Sequence, residues 1–523
     1  MAAEQPLPSQ PGLARSAGIL ALGNVASRVL GLAREIVITH WFGASGPVSA
    51  FRVASIVPTM LYDLLIGGLL SAALVPVLSE YAGVRRQELG RAAGAILGLV
   101  AVGGAFIVLL LELFAPQVVW IMGGGFDDHL RAVAVRSLRI LAPAVWCFFC
   151  SGIVTGILYA RHCFTFPALA AAAFNLGVVV AAPLLAGRLD IYSLAVGVLL
   201  GSFIQLALQL PGLRGSGLRL SLDWHHPALA RMAQLYLPIA LGLVITQVQI
   251  AVDRNLASRT GEHSIAWMQN ATTLIQFPLG LVAVAISLAA LPSLSQLSAV
   301  RDWDGYRRTL ARGLRLVLVL ILPATVGLGV LGEPLIRLIF EHGAFGPHDT
   351  LWTNRALSLY LLGLIFAAVD WPLNYAFYAR QDTRTPALVG VFSVGIYLAV
   401  ALLLVERFGM LGLVLADSAK QAAHALVMLA LLRRRVGSLG SQGVAAAGWR
   451  AAVAAAVMGG GVWLARSAME GVGMEGGFLA ETTVVAVGGA VGFVLYFGIL
   501  ALLRVEEVGL LRAEVLRRLR DGV

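Results

Sequence analysis

Ser27-Arg28-Val29-Leu30-Gly31-Leu32-Ala33-Arg34-Glu35 sets two arginines and a glutamate inside a long apolar stretch. A helix needs about 20 residues at 1.5 Å rise to cross ~30 Å of hydrocarbon, and the apolar residues on either side supply that length. An arginine at such a depth costs roughly 2.5 to 3.5 kcal/mol on insertion scales, so it is expected to face a protein-lined, water-filled cavity rather than lipid. Function is expected to live in that cavity.

The rest of the chain has the same character. Of its 523 residues, 59% are hydrophobic and 13% charged, with mean hydropathy +0.85. An ordinary soluble domain carries roughly 25% charged residues and is excluded. Apolar segments of about 20 residues recur from position 18 to 503, about fourteen of them, which predicts an all-α polytopic membrane protein. The formal charge of +10 comes from arginines dispersed in short loops, so it reads as topogenic charge and attraction to anionic lipid. No nucleic-acid-binding face is expected.

Arginine-rich loops alternate with acidic or nearly uncharged ones, as the positive-inside rule demands. One side carries Arg15, then Arg85, Arg86 and Arg91, Arg161, Arg214 with Arg219 and Arg231, Arg307 with Arg308 and Arg312, Arg380 with Arg384, Arg433-Arg434-Arg435, and Arg512, Arg517, Arg518 and Arg520. The other carries the turn 43–47, then Asp127 and Asp128, Arg188 with Asp190, Arg259 with Glu262, Glu341 with Asp349, Glu406 with Arg407, and Glu470, Glu475 and Glu481. An even number of spans follows, with both termini cytoplasmic. The polar N-terminus lacks a basic n-region and a cleavage site, so the first helix is expected to be retained.

Loops this short leave no room for a folded extramembrane domain, and no HExxH, GxSxG, Walker or Rossmann pattern sits in a suitable context, so no enzyme is expected. Cys147 and Cys150 have CxxC spacing but lie in an apolar helix with no second pair or histidine partner, so they read, with Cys163, as core residues. His424 reads as an isolated packing or hydrogen-bonding residue, and Asp370, next to Trp371-Pro372, as a buried acid.

The chain also repeats itself. Leu74-Val75-Pro76-Val77-Leu78-Ser79-Glu80 aligns with Ala290-Leu291-Pro292-Ser293-Leu294-Ser295-Gln296, and Gly125-Phe126-Asp127-Asp128 loosely with Ala344-Phe345 and the run ending at Asp349. Tyr159-Ala160-Arg161 followed by Pro167 aligns with Tyr378-Ala379-Arg380 followed by Pro386. An offset of about 216 to 219 residues, with matching loops on the same side, implies parallel repeats related by an axis along the membrane normal. The expected organisation is an N-terminal tail (1–12), an N-lobe of six helices (13–229), a C-lobe of six (230–436), two extra helices (437–505) and a C-terminal tail (506–523). A substrate site is expected between the lobes.

These features resemble the MurJ (MviN) family of lipid II flippases, within the multidrug/oligosaccharidyl-lipid/polysaccharide exporter superfamily. The likeness covers nearly the whole chain. It rests on the first-helix stretch quoted above leading to Phe42-Gly43-Ala44, on Val75-Pro76-Val77-Leu78-Ser79-Glu80-Tyr81, Val252-Asp253-Arg254 and Phe277-Pro278-Leu279-Gly280, and above all on Phe377-Tyr378-Ala379-Arg380-Gln381-Asp382-Thr383-Arg384-Thr385-Pro386. The resemblance implies alternating-access movement of undecaprenyl-pyrophosphate-linked glycopeptide (lipid II) from the inner to the outer leaflet of the bacterial cytoplasmic membrane, for cell-wall synthesis. It also implies membrane lipids and other cell-wall synthesis proteins as partners. Exporters of another lipid-linked oligosaccharide or small molecule, and a non-transporting scaffold that kept the fold, are the competing readings.

By the same resemblance the substrate-binding residues are Arg28, Arg34, Arg52 and Arg254, whose planar guanidinium forks suit a pyrophosphate. Six residues apart on a helix, Arg28 and Arg34 lie about 120° from a common face. Arg34 therefore either faces a different part of the cavity wall or pairs with Glu35. Several family charges are replaced, by Ser49, by Tyr62-Asp63 and by Thr273. Without a nucleotide-binding motif, and with no cofactor expected, transport would draw on an ion gradient, the membrane potential or consumption of product. The family's sodium site places Asp253 and Asp417 as candidate cation ligands, although Tyr397 and Ala401 stand where an asparagine and an aspartate complete it. The competing reading pairs Asp253 with a nearby arginine and Asp417 with Lys420, one turn on. The extra helices, glycine-rich at Gly459-Gly460-Gly461 and Gly488-Gly489, provide either a groove for the polyprenyl tail or simply close packing.

Overall fold

The computed structural model describes residues 10–67, 69, 73–84, 86–218, 221–471, 477–505, 507 and 509. Most of both expected tails, and with them Arg512, Arg517, Arg518 and Arg520, lie outside the described residues, as do Arg85, Arg219 and Glu475. No strand occurs among the described residues. The helices are α1 (Gln10–Phe42), α2 (Gly46–Tyr62), α3 (Val75–Val84), α4 (Arg86–Met122), α5 (Asp128–Ala160), α6 (Thr165–Leu189), α7 (Tyr192–Gln209) and α8 (Pro227–Arg259), followed by α9 (Ser264–Pro278), α10 (Ala285–Ala299), α11 (Trp303–Phe340), α12 (Pro347–Ala379), α13 (Arg384–Phe408), α14 (Met410–Val436), α15 (Val444–Gly471) and α16 (Phe478–Leu502).

Among the described residues, 11 helical segments are long and apolar enough to cross a membrane, or 12 when Pro227–Leu237 and Gly242–Ser258 count as one bent span. The expectation of about fourteen counted α1 and α14 as well, which are 33 and 27 residues long but fall outside this set. Both have the length, but the residues that make them interesting also dilute their hydropathy: Arg28, Arg34 and Glu35 in α1, and Asp417, Lys420 and His424 in α14.

The duplication is visible in the backbone. α5 and α12 each span 33 residues, and α6 and α13 each span 25. The turn after α5 places His162 at φ +58°, and the matching turn after α12 places Gln381 at +59°. The next pair of turns uses Asp190 at +47° and Gly409 at +55°. Pro58 in α2 is followed by a π turn at Asp63–Gly67, and Pro278 at the end of α9 by another at Leu279–Val284. Proline removes an N–H and crowds the preceding carbonyl, and a widened turn is one way the hydrogen-bond ladder absorbs this.

The chain divides into two compact units, Met1–Ala266 and Trp267–Val523. In the first, α5 is the buried centre, α7 packs on α5 and α6, and α1 packs on α6. A Cβ on Gly177 would stand 2.4 Å from the Gly197 carbonyl oxygen, and one on Gly201 2.2 Å from that of Phe174. Only glycine lets α6 and α7 approach so closely. Helix α8 is tied to the end of α4 and the turn after it: Asn255 Nδ2 donates to Ile121 O at 2.8 Å, and Gly125 N to Ser258 Oγ at 2.9 Å.

In the second unit, α14 packs against α12 and α13, and α11 supports α12, α15 and α16. Two buried tyrosines bond across helix junctions: Tyr306 Oη donates to Ala376 O at 2.5 Å, and Tyr496 Oη to Val319 O at 2.6 Å. The glycines of α15 and α16 divide by role. Cβ atoms on Gly459 and Gly461 would meet Val326 and Leu495 at 2.6 and 2.2 Å, and one on Gly488 would meet Leu331 at 3.0 Å, whereas Gly460 and Gly489 have open space. Close packing accounts for the first three.

Candidate functional site

The first-helix motif is completed by an arginine of α2. Arg34 donates from Nη2 and Nε to Glu35 Oε1 at 2.8 and 3.3 Å. Arg52 of α2 donates from Nη2 to the other carboxylate oxygen, Oε2, at 2.6 Å. Glu35 and Arg52 side chains are 3% and 9% exposed, Arg34 29%. One buried carboxylate thus holds two guanidiniums, and the cluster keeps a net charge of +1. Adjacent arginines repel, and the shared acid lets them stay close in a poorly solvated place. Arg52 is committed to Glu35, while Arg34 is held by the same acid with its guanidinium still partly open to solvent.

Arg28, half-buried, lies on the part of α1 that docks on α6. There Ser27 Oγ donates to Ala171 O at 3.3 Å, and Asn175 Nδ2 to Ser27 O at 3.3 Å. Arg254, half-buried on α8, makes no hydrogen bond or ion pair among the described residues and takes no part in the Glu35 cluster. Its helix end is fixed by the Asn255 and Ser258 bonds given above. Positions where the resemblance leads one to expect further charges are neutral: Ser49 is fully buried, and Thr273 Oγ1 donates within its own helix to Gln269 O at 2.9 Å.

Asp253 is half-buried in the first unit. Asp417 belongs to the second, where its Oδ1 lies 2.7 Å from Lys420 Nζ. Lys420 also sits 5.9 Å from the centre of the Tyr397 ring. Among the described residues no group of three or more His, Cys, Asp or Glu is arranged to hold a metal ion.

In two polar clusters the pairing of the side chains was not foreseen from the sequence. In one, Arg466 Nη2 reaches Glu333 Oε2 at 3.0 Å and its Nε reaches Glu470 at 2.5 Å, while Arg337 bonds Glu333 at 2.6 Å and Glu481 at 3.3 Å. This ties α11, α15 and α16 together. The spacings Glu333–Arg337 and Arg466–Glu470 were a readable signal, since residues four apart share a helix face. In the other cluster, His424 faces Asp370 across α12 and α14.

The segment most specific to the resemblance is a helix junction. Asp382 accepts from Thr385 N at 3.0 Å and Thr385 Oγ1 at 2.8 Å, and it pairs with Arg435. Burial alone would raise its pKa, but the two Thr385 bonds and the Arg435 guanidinium outweigh that and hold the carboxyl below its usual value. The segment therefore shapes the turn from α12 to α13 and anchors the end of α14.

A family model described as lipid II flippase MurJ matches residues 38–483. The lipid II flippase MurJ of Burkholderia cenocepacia is 30% identical over 429 residues, covering 79% of this chain and 82% of the relative. The probable lipid II flippase MurJ of Rhizobium tropici is 27% identical over 513 residues, with 95% of each chain covered. Among solved structures, a lipid II flippase MurJ in an inward closed conformation matches with TM-score 0.78 at 23% identity, over 92% of this chain and 99% of that one. An inward-facing MATE family multidrug resistance transporter matches with TM-score 0.70 at 14% identity, over 79% and 96%. At these identities the structural likenesses speak to the fold.

Proposed function

The chain belongs to the MurJ family of lipid II flippases, and on that premise we propose that it carries lipid II from the inner to the outer leaflet of the cytoplasmic membrane by alternating access, supplying cell-wall synthesis. Both termini lie on the cytoplasmic side. Energy enters from an ion gradient or the membrane potential, one elementary charge across 100 mV being worth roughly 2.3 kcal/mol.

The observation that carries the reading is the Arg34–Glu35–Arg52 cluster, which sets a net positive charge beside α1 and leaves Arg34 as its most exposed member. A pyrophosphate offers the oxygens that a guanidinium fork binds in two parallel hydrogen bonds. Arg34 and Arg28 contact the pyrophosphate, Arg52 and Glu35 orient Arg34, and Arg254 adds positive charge from α8.

The test is movement of fluorescent lipid II between leaflets of liposomes holding the purified protein, with Arg34→Ala and Arg28→Ala beside the intact chain. Transport by the intact chain and its loss in both folded variants is the expected result. Full activity in both variants would remove the assigned roles, and no transport by the folded intact protein would remove the function.

A further inference from the structure

We infer that Asp370 and His424 form a proton-binding site that couples transport to the proton gradient, an inference that rests on the transport reading above. Nδ1 of His424 on α14 lies 2.7 Å from Oδ1 of Asp370 on α12. The other carboxylate oxygen, Oδ2, accepts from Asn374 Nδ2 at 2.7 Å, and the same amide donates to Asp370 O at 2.9 Å. Asn374, one turn along α12, thereby fixes the carboxylate toward the imidazole. Nine residues separate His424 from Arg433, which at 1.5 Å rise puts the pair about 13 Å inside the end of the span marked by the arginine run. The side chains are 14% and 16% exposed, so the pair is largely buried without being sealed.

Charge balance gives the pair its role. Asp417, Lys420 and His424 follow one another along one face of α14, and Asp417 and Lys420 pair with each other. With one proton shared between Asp370 and His424 the polar stripe is neutral; without it, the stripe carries one net negative charge in a poorly solvated place. The first state is favoured while the pair is covered, and the second needs water. Binding is H+ added to a carboxylate–imidazole pair to give a carboxylate–imidazolium pair, release is the reverse, and no other bond changes.

The other groups facing the pair are accounted for. Tyr375 and Tyr378 lie on α12, and Tyr397 of α13 lies beside Lys420. Neither α10 nor the π turn before it carries an ionisable residue. From α11, Tyr306 spends its hydroxyl on Ala376 O. The remaining charged residues of α11 to α14 lie toward the helix ends, where Arg307 meets Asp304 and Val436 O, Arg315 meets Gln442 O, and Arg435 meets Asp382.

The duplication supplies an internal comparison. Ser151 of α5 stands 219 residues before Asp370, and there Gln209 Nε2 of α7 donates to Ser151 Oγ at 2.7 Å, both residues being 1% exposed. A neutral bond joins that helix pair in one copy. An ionisable pair at the corresponding junction therefore exceeds what packing requires.

The experiment measures lipid II movement in liposomes with the membrane potential clamped and a pH gradient imposed in either direction. The intact protein should respond to the gradient, by up to about tenfold per pH unit, the ratio of proton activities. The double variant D370N/H424Q, an amide pair that is neutral as Ser151 and Gln209 are, should fold and lose the response. If it fails to fold, His424→Gln alone, which leaves Asn374 holding Asp370, is read the same way. An intact protein that moves lipid II regardless of the gradient, or a folded variant that responds as the intact protein does, overturns the proton site and leaves the flippase reading standing. Absence of lipid II movement under every gradient overturns the flippase reading instead.

Discussion

Replacing Arg52 with alanine leaves Glu35, 3% exposed, with only the neighbouring Arg34 to balance it. Breaking a buried ion pair from one side typically costs roughly 3 to 5 kcal/mol, because the remaining charge stays buried. Arg34→Ala is expected to cost far less, since Arg34 is 29% exposed and Arg52 still satisfies Glu35. Thermal unfolding in detergent should therefore show a large loss for Arg52→Ala and a small one for Arg34→Ala. Equal losses would mean that Arg34 is as structural as Arg52. Only part of this cluster was legible in the sequence. Arg34 and Glu35 are adjacent, so their pairing was foreseeable, whereas the Arg52 contact spans 17 residues and depends on how the chain turns between α1 and α2. His424 read as isolated for a similar reason, its partner being 54 residues away on another helix.

At the level of elements, the turn from α12 to α13 shows how a family-specific motif can be structural. Asp382 bonds the first turn of α13 through Thr385 and reaches Arg435 at the end of α14, so one carboxylate ties two helix ends together. Its folded pKa lies below the ordinary 3.8, so its contribution is fully present above that value and is lost as pH falls through the lower, folded one. The unfolding temperature of the intact protein should exceed that of Asp382→Asn by a constant margin from neutral pH down to about 4, and the margin should shrink below that. A margin that is unchanged under acid would show that the charge contributes nothing. This motif was legible as a repeated Tyr-Ala-Arg pattern, and the matching backbone turns at His162 and Gln381 bear the repeat out. The glycines of α15 and α16 were not legible, because a helical glycine looks the same in sequence whether it faces Leu495 or open space.

At the scale of the whole molecule, the number of spans turns on the two helices whose charges keep them out of the apolar set. If α14 crosses the bilayer, the α13–α14 turn and the loop after α14 lie on opposite sides, and the alternation of loop charge puts Glu406 outside and Ser441 inside. If α14 lies on the surface, both loops share a side, and Asp370–His424 would not sit at membrane depth. Exposed Glu406 and Ser441 give suitable labelling positions. With Cys147, Cys150 and Cys163 replaced, a membrane-impermeant thiol reagent should label Glu406→Cys in intact cells and Ser441→Cys only after permeabilisation. Labelling of both in intact cells would bring α14 out of the membrane and remove the physical basis for an ion-coupling stripe along it. The opposite-side result would mean that the bilayer holds a helix bearing Asp417, Lys420 and His424. A charged helix is inserted at a cost, and that cost is tolerable because Lys420 neutralises Asp417 and α12 meets His424 with Asp370.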